Sequence, residues 1–169
     1  MTLIPEPALT SANLHESQRE QVRAIVRHHA QRPGPLLPVL HAVQHGLGCI
    51  PPSVVEDIAQ GLNLSRAEVH GVITYYPHFR QAPAGRHVVQ ICQAEACKAC
   101  GADALMEQAQ RLTGCAAPAT REDGALTLEP VYCLGLCASS PALMVNDRLH
   151  ARVTPQRLGQ IVATLGVPA

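Results

Sequence analysis

A chain of 169 residues with 47% hydrophobic side chains has enough apolar material for a core of its own, either as one domain or as a small helical unit beside a compact α/β domain. Lysine plus arginine and aspartate plus glutamate both number 13, with no basic block, and the four aromatics (Tyr75, Tyr76, Phe79 and Tyr132) offer almost no stacking surface, so a nucleic-acid partner is not expected. No apolar run approaches the roughly 18 residues of a membrane helix, and the opening Met-Thr-Leu-Ile-Pro-Glu-Pro lacks the basic and apolar regions of a secretory signal. A cytoplasmic, thiol-reducing setting without direct membrane insertion follows as the expectation, and the odd count of seven cysteines speaks against a disulfide framework.

In chain order, residues 1–13 read as a loose leader containing Pro5 and Pro7. A helix is predicted from Asn13 or Ser17 to about Gln31, with Ser17 and Glu20 as a capping box and Leu14, Val22, Ile25, Val26 and Ala30 as its apolar stripe. Pro33-Gly34-Pro35 ends it. A second helix, about Leu36 to Gly46, carries Leu36, Val39, Leu40, Val43 and Leu47, with Gly46 and Gly48 as candidate caps. A third opens at Ile50-Pro51-Pro52-Ser53, presents Val54, Val55, Ile58 and Leu62, and is predicted to end at Gly61. A fourth begins at the capping box Ser65 to Glu68, points Val69, Val72, Ile73 and Tyr76 inward, and stops before Pro77. These four make a helical N-terminal unit.

The pattern changes at Arg86. Val88, Val89 and Ile91 read as a mostly buried strand that runs directly into Cys92. A helix is expected from Gly101 to Leu112, ended by Gly114. Asp123-Gly124 signals a turn into a strand over residues 125–132, which runs into Cys133. Residues 142–146 and 149–153 flank Asn146-Asp147-Arg148 as a hairpin. Thr154-Pro155 then caps a last helix carrying Leu158, Ile161, Val162 and Leu165, with Gly166 as its stop. The order β-α-β-β-β-α describes a small α/β layer domain with cysteine loops at its strand ends.

Those loops are Cys92-Gln-Ala-Glu-Ala-Cys97 and, after 35 residues, Cys133-Leu-Gly-Leu-Cys137. Two strand ends side by side would bring four soft thiolates into one small volume, and four sulfurs select zinc or an iron–sulfur cluster over harder ions. Small and apolar neighbours (Ala94, Ala96, Leu134, Leu136, Ala138) suit a cluster, and Gly135 permits the positive φ that turns main-chain N–H groups toward sulfur. Two alternatives stand beside it. Cys97-x-x-Cys100 with Cys133-x-x-x-Cys137 would make a loose zinc knuckle in a zinc-stabilised interaction module, which leaves Cys92 without a role. Cys97-Lys-Ala-Cys100 at a helix start would make a redox-active dithiol.

The spacing Cys92-x4-Cys97-x35-Cys133-x3-Cys137 resembles the thioredoxin-like [2Fe–2S] ferredoxin subunits that accompany the NADH-oxidising flavoprotein of respiratory complex I, NAD-linked hydrogenases and NAD-dependent formate dehydrogenases. The likeness covers about residues 15–166, including Leu64-Ser-Arg-Ala-Glu-Val-His-Gly-Val-Ile-Thr-Tyr-Tyr76 and the segment from Val131 to Asn146. Within that family, Gln90 to Cys97, Tyr132-Cys-Leu-Gly and Arg148 to Pro155 are most similar to the gamma subunit of the cytoplasmic, molybdenum-containing formate dehydrogenase. The resemblance implies an α+β chain, with an N-terminal helical bundle (1–83) that docks on a partner and a thioredoxin-like domain (84–169) that carries a [2Fe–2S] cluster. It implies that Cys92 and Cys97 hold one iron and Cys133 and Cys137 the other. It also implies an electron-transfer subunit that is not itself catalytic. The expected partners are a flavoprotein binding FMN and NADH and a catalytic subunit with molybdenum and iron–sulfur centres.

The remaining candidates read more plainly. Cys100 has no ligand role in the family and is expected to pack, the alternative being competition for metal. Cys49 and Cys115 stand alone and are expected to fill core space. His41 and His45, at i,i+4, have the spacing of a zinc pair, but with no third ligand in view they read as surface or interface histidines. Glu95 is either a charge that lowers the cluster's potential or a solvated loop carboxylate.

Overall fold

A computed structural model describes residues 16–166; the predicted leader, its two prolines, Asn13 and Leu14 lie outside the described residues. The chain divides into two compact units, the first ending at Pro83 and the second beginning at Ala84. No described helix is long and apolar enough to cross a membrane.

The first unit holds four helices: α1 (Glu16–His29), α2 (Leu36–Leu47), α3 (Val55–Leu62, entered through a 3-10 turn at Pro52–Val54) and α4 (Arg66–Tyr75). Their apolar stripes meet in one core of Val22, Val26, Val39, Leu40, Val43, Ile50, Val54, Ile58, Val69, Ile73 and Phe79. The α4 capping box forms as its sequence requires: the Glu68 N–H donates to Ser65 Oγ at 3.1 Å, and the Ser65 N–H donates to the Glu68 carboxylate at 2.8 Å. Gly48, at φ +79, closes α2. Two glycines predicted as helix ends lie inside helices instead. Gly46 is internal to α2, and Gly61 is internal to α3, which ends at the left-handed Asn63. Gly61 is there for closeness: a Cβ on it would stand 2.4 Å from Val26 Cγ1 of α1.

Tyr76 is a second correction. Expected inward, it is 40% exposed, because α4 ends at Tyr75 and the backbone turns extended at Tyr76. Gln44, buried on α2, holds the loop that follows. Its amide donates to the His78 carbonyl (2.8 Å) and accepts from the Arg80 N–H (2.7 Å), so both ends of a buried polar group are satisfied.

The second unit is a five-stranded mixed sheet: β1 (His87–Cys92), β2 (Ala119–Thr120), β3 (Leu126–Val131), β4 (Leu143–Val145) and β5 (Arg148–His150), in spatial order β2-β3-β1-β4-β5. Three helices accompany it: α5 (Glu95–Ala99), α6 (Ala102–Thr113) and α7 (Pro155–Thr164). β1 and β3 pair in parallel, Val89 opposite Leu128 and Cys92 opposite Val131, while β4 runs antiparallel to β1. Val89 and Ile91, Leu126 and Leu128, and Leu143 and Val145 recur at period two and so share a face. There they build a core with Leu105 and Ala109 of α6 and Leu158 and Val162 of α7. Asn146 and Asp147 both take positive φ (46° and 67°), the turn that joins two antiparallel strands with little splay, and Thr154 caps α7 by accepting from the Arg157 N–H.

The α+β architecture stands as expected, with two additions: β2 and the short α5 inside the first cysteine loop.

Candidate metal centre

Cys92 is the last residue of β1, and Val131, opposite it on β3, lies two residues before Cys133. The parallel register therefore delivers both loops to the same sheet end. Cys92 is 3% exposed and fixed by its neighbours: its N–H donates to the Ala142 carbonyl of the adjoining chain, and the Gln93 N–H donates to Val131. Cys97 sits in α5 and is 2% exposed. Cys133 and Cys137 are exposed, the latter opening a 3-10 turn at Cys137–Ser139. Ala102 and Ala142, with Ala94, Val131, Leu134 and Leu136, form the apolar lining around Cys92 and Cys97.

The sulfurs fall into two pairs. Cys133 Sγ and Cys137 Sγ are 3.8 Å apart. Two thiolates on one tetrahedral metal at about 2.3 Å each would stand about 3.8 Å apart, so this pair has the span that one metal atom requires. The Cys97 side chain is among the groups that lower the Cys92 thiol. The pairs also feel one another: the Cys137 thiol is pushed up by the hydrogen bond and charge of Cys133, then by burial, then by the charges of Cys97 and Cys92. Among the described residues no three His, Cys, Asp or Glu side chains surround a single point as one ion would need.

The main chain supplies the countercharge. Burial raises the Cys92 thiol, but N–H groups of Ala94, Cys133 and Leu134 and the Cys97 side chain all point at its sulfur and hold it below the ordinary thiol range. Gly135, at φ +75, donates its N–H to Cys133 Sγ at 3.4 Å, the role its sequence position suggested. Cys133 itself sits at φ +102, a region side chains rarely occupy. That strain accompanies the inward aim of two successive N–H groups, the geometry of an anion-holding nest.

Other expected residues separate from this centre. Cys100, expected to pack, is exposed at the end of α5, because the five-residue helix turns it to the outer side. Cys49 and Cys115 are buried, each 3% exposed, as core residues. His41 and His45 are both exposed on α2; His41 stacks instead on His78 and Phe79, each ring centroid 5.0 Å away. Glu95 is an exposed first-turn carboxylate of α5. One contributor was missed: the Ser140 hydroxyl, 3.4 Å from Cys97 Sγ, lies 43 residues away in sequence and gives no local signal.

Comparison with known proteins agrees with this geometry. A family model described as thioredoxin-like [2Fe–2S] ferredoxin matches residues 22–166. A subunit of the NADH-quinone oxidoreductase of Rhizobium meliloti (strain 1021) is 32% identical over 146 residues, 86% of this chain and 87% of that protein. The NADP-reducing hydrogenase subunit HndA of Solidesulfovibrio fructosivorans is 31% identical over 164 residues, covering 95% and 91% of the two chains. The crystal structure of an air-oxidised NAD+-reducing [NiFe]-hydrogenase has the same fold over 81% of this chain, with a TM-score of 0.64 at 22% identity; this chain spans 24% of that one. The extent of these matches, laid over paired thiols at the ends of two adjacent strands, makes the chain a member of the thioredoxin-like [2Fe–2S] ferredoxin family, with a [2Fe–2S] cluster as its cofactor.

Proposed function

We propose that this chain is the electron-transfer subunit of a cytoplasmic, NAD-dependent formate dehydrogenase. In this reading Cys92 and Cys97 hold one iron, and Cys133 and Cys137 hold the other. The observation that supports the electron-transfer role and this ligand set is the pairing of sulfurs at neighbouring strand ends, with 3.8 Å between Cys133 and Cys137. A [2Fe–2S] cluster accepts and gives one electron at a time. The residues around it do the rest: the N–H groups aimed at Cys92 and Cys133 offset the negative charge, and the alanine and leucine lining keeps water from the buried pair.

Hydride chemistry belongs to a flavoprotein partner with FMN and NADH, and formate oxidation to a catalytic subunit with molybdenum and iron–sulfur centres. Residues 84–169 form the cluster domain and residues 1–83 the docking domain for the flavoprotein. Docking is supported by an open groove of about 540 Å³ between Leu36, Leu64, Val72 and two exposed tyrosines, Tyr75 and Tyr76. Tyr75, 77% exposed, is a large ring left in water that meets Tyr76 edge to face, with ring centroids 5.0 Å apart. Tyr75→Asp in the full chain is expected to reduce co-purification with the flavoprotein at unchanged cluster content.

The second reading, the equivalent subunit of an NADH:quinone oxidoreductase or NAD-linked hydrogenase, is favoured by the names of the relatives. Formate rests on the narrower likeness of Gln90 to Cys97 and Arg148 to Pro155 to the gamma subunit. Purification of the native assembly decides. Formate-dependent NAD reduction is expected; quinone or hydrogen activity without it would transfer the chain to the second reading.

A further inference from the structure

The donors around the sulfurs are of two kinds, main chain and side chain. Cys92 and Cys133 are served by main-chain N–H groups. Cys97 is served by a side chain. Ser140 Oγ lies 3.4 Å from Cys97 Sγ and donates to the Cys137 carbonyl at 2.9 Å, so one hydroxyl touches both cysteine loops.

Its position is set firmly. The residue before a proline is confined to extended backbone, and Ser140, before Pro141, sits at φ −66, ψ 156. The carbonyls on either side are pinned, Ser139 by the Arg152 N–H and Pro141 by the Val153 N–H, both at 2.9 Å. The hydroxyl is half-buried beside a sulfur that is almost fully buried, where a hydrogen bond meets little competition from water.

A neutral Cys97 thiol can donate to the serine oxygen, but a thiolate carrying iron can only accept. The serine proton then lies between two acceptors, the Cys137 carbonyl and the Cys97 sulfur. Reduction adds negative charge to the cluster and its sulfurs, so a donor at Cys97 favours the reduced form and raises the potential. We propose that Ser140 is a tuning residue, its single hydroxyl proton shared between the Cys137 carbonyl and the Cys97 sulfur and so lifting the reduction potential of the cluster. This inference rests on Cys97 being a ligand, as proposed above.

The test is a redox titration of the full-length, cluster-loaded protein, followed by visible absorbance and by the EPR signal of the reduced form. Ser140→Ala is expected to lower the midpoint so that, poised at the wild-type midpoint, the ratio of reduced to oxidised cluster falls several-fold; a tenfold fall corresponds to about 59 mV for one electron. Ser140→Thr, which keeps the hydroxyl, should restore most of the shift, and Ser139→Ala should leave the midpoint in place. Equal midpoints for wild type and Ser140→Ala at equal iron and sulfide content would overturn the proposal. If Ser140→Ala does not retain its cluster, Ser140→Thr and Ser140→Val form the deciding pair, since they share a shape and differ in the hydroxyl. A higher midpoint in the threonine variant supports the proposal, and equal midpoints reject it. Wild-type protein that holds iron and sulfide independently of Cys97→Ser would instead refute the ligand assignment, a failure distinguishable from equal midpoints.

Discussion

In the proposed assignment the two cysteine loops do the same chemical job from opposite structural circumstances. Cys92 and Cys97 sit at the end of a central strand and in a helix, and are almost fully buried. Cys133 and Cys137 sit on irregular chain in contact with solvent, one of them at a strained φ of +102. The buried pair obtains its order from the sheet, whatever it binds. The exposed pair obtains its order from main-chain turns and from what it holds. The difference teaches that similar cysteine pairs in sequence do not imply equal tolerance: one loop is part of the core, and the other is a clasp fastened to it.

The largest expected effect breaks the buried side. Cys92→Ser removes a thiolate where no water can replace it, so visible absorption and acid-labile sulfide should both vanish; a coloured variant would show that the buried pair is dispensable. Cys133→Ser removes a ligand where serine oxygen or water can step in. A diminished, shifted visible band and an altered EPR signal are expected, and total loss would erase the contrast between the loops. Gly135→Ala sharpens it further. An alanine at φ +75 costs about 1–2 kcal/mol, and relaxation of the turn withdraws the N–H from Cys133. Faster cluster loss in air, with an unchanged thermal midpoint for the helical unit, is the expected result. Cys100→Ser is expected to leave absorption, EPR and cluster content as they are, and its measurement checks that the zinc-knuckle and dithiol patterns have no part in the site.

Much of this was legible in the sequence, and what was not has physical causes. The strand pattern of β1 runs to Cys92 as read, while β3 ends at Val131, two residues short of Cys133, its last three residues only half-buried. The helices were readable from their stripes, and α4 from Ser65 and Glu68. α5 was not, since five residues are too few for a period of 3.6 to repeat, and β2, with two, is shorter still. Gly61 read as a stop because glycine's commonest use is conformational, whereas here α1 approaches too closely for a side chain. Tyr76 read as core because its spacing matches the α4 stripe, but the helix ends one residue earlier. The unequal burial of the four cysteines and the approach of Ser140 are products of tertiary register, which local pattern does not encode.

The in-register pairing of β1 with β3 also carries a consequence for remodelling the molecule. Because Cys92 is held opposite Val131, the separation of the two loops in space is set by the ladder and not by how many residues join them. Lengthening the chain at the exposed Asp123-Gly124 bend adds to the path and leaves the clasp where it was. Removing a single residue inside β3 would flip its alternate side chains and misalign one jaw with the other.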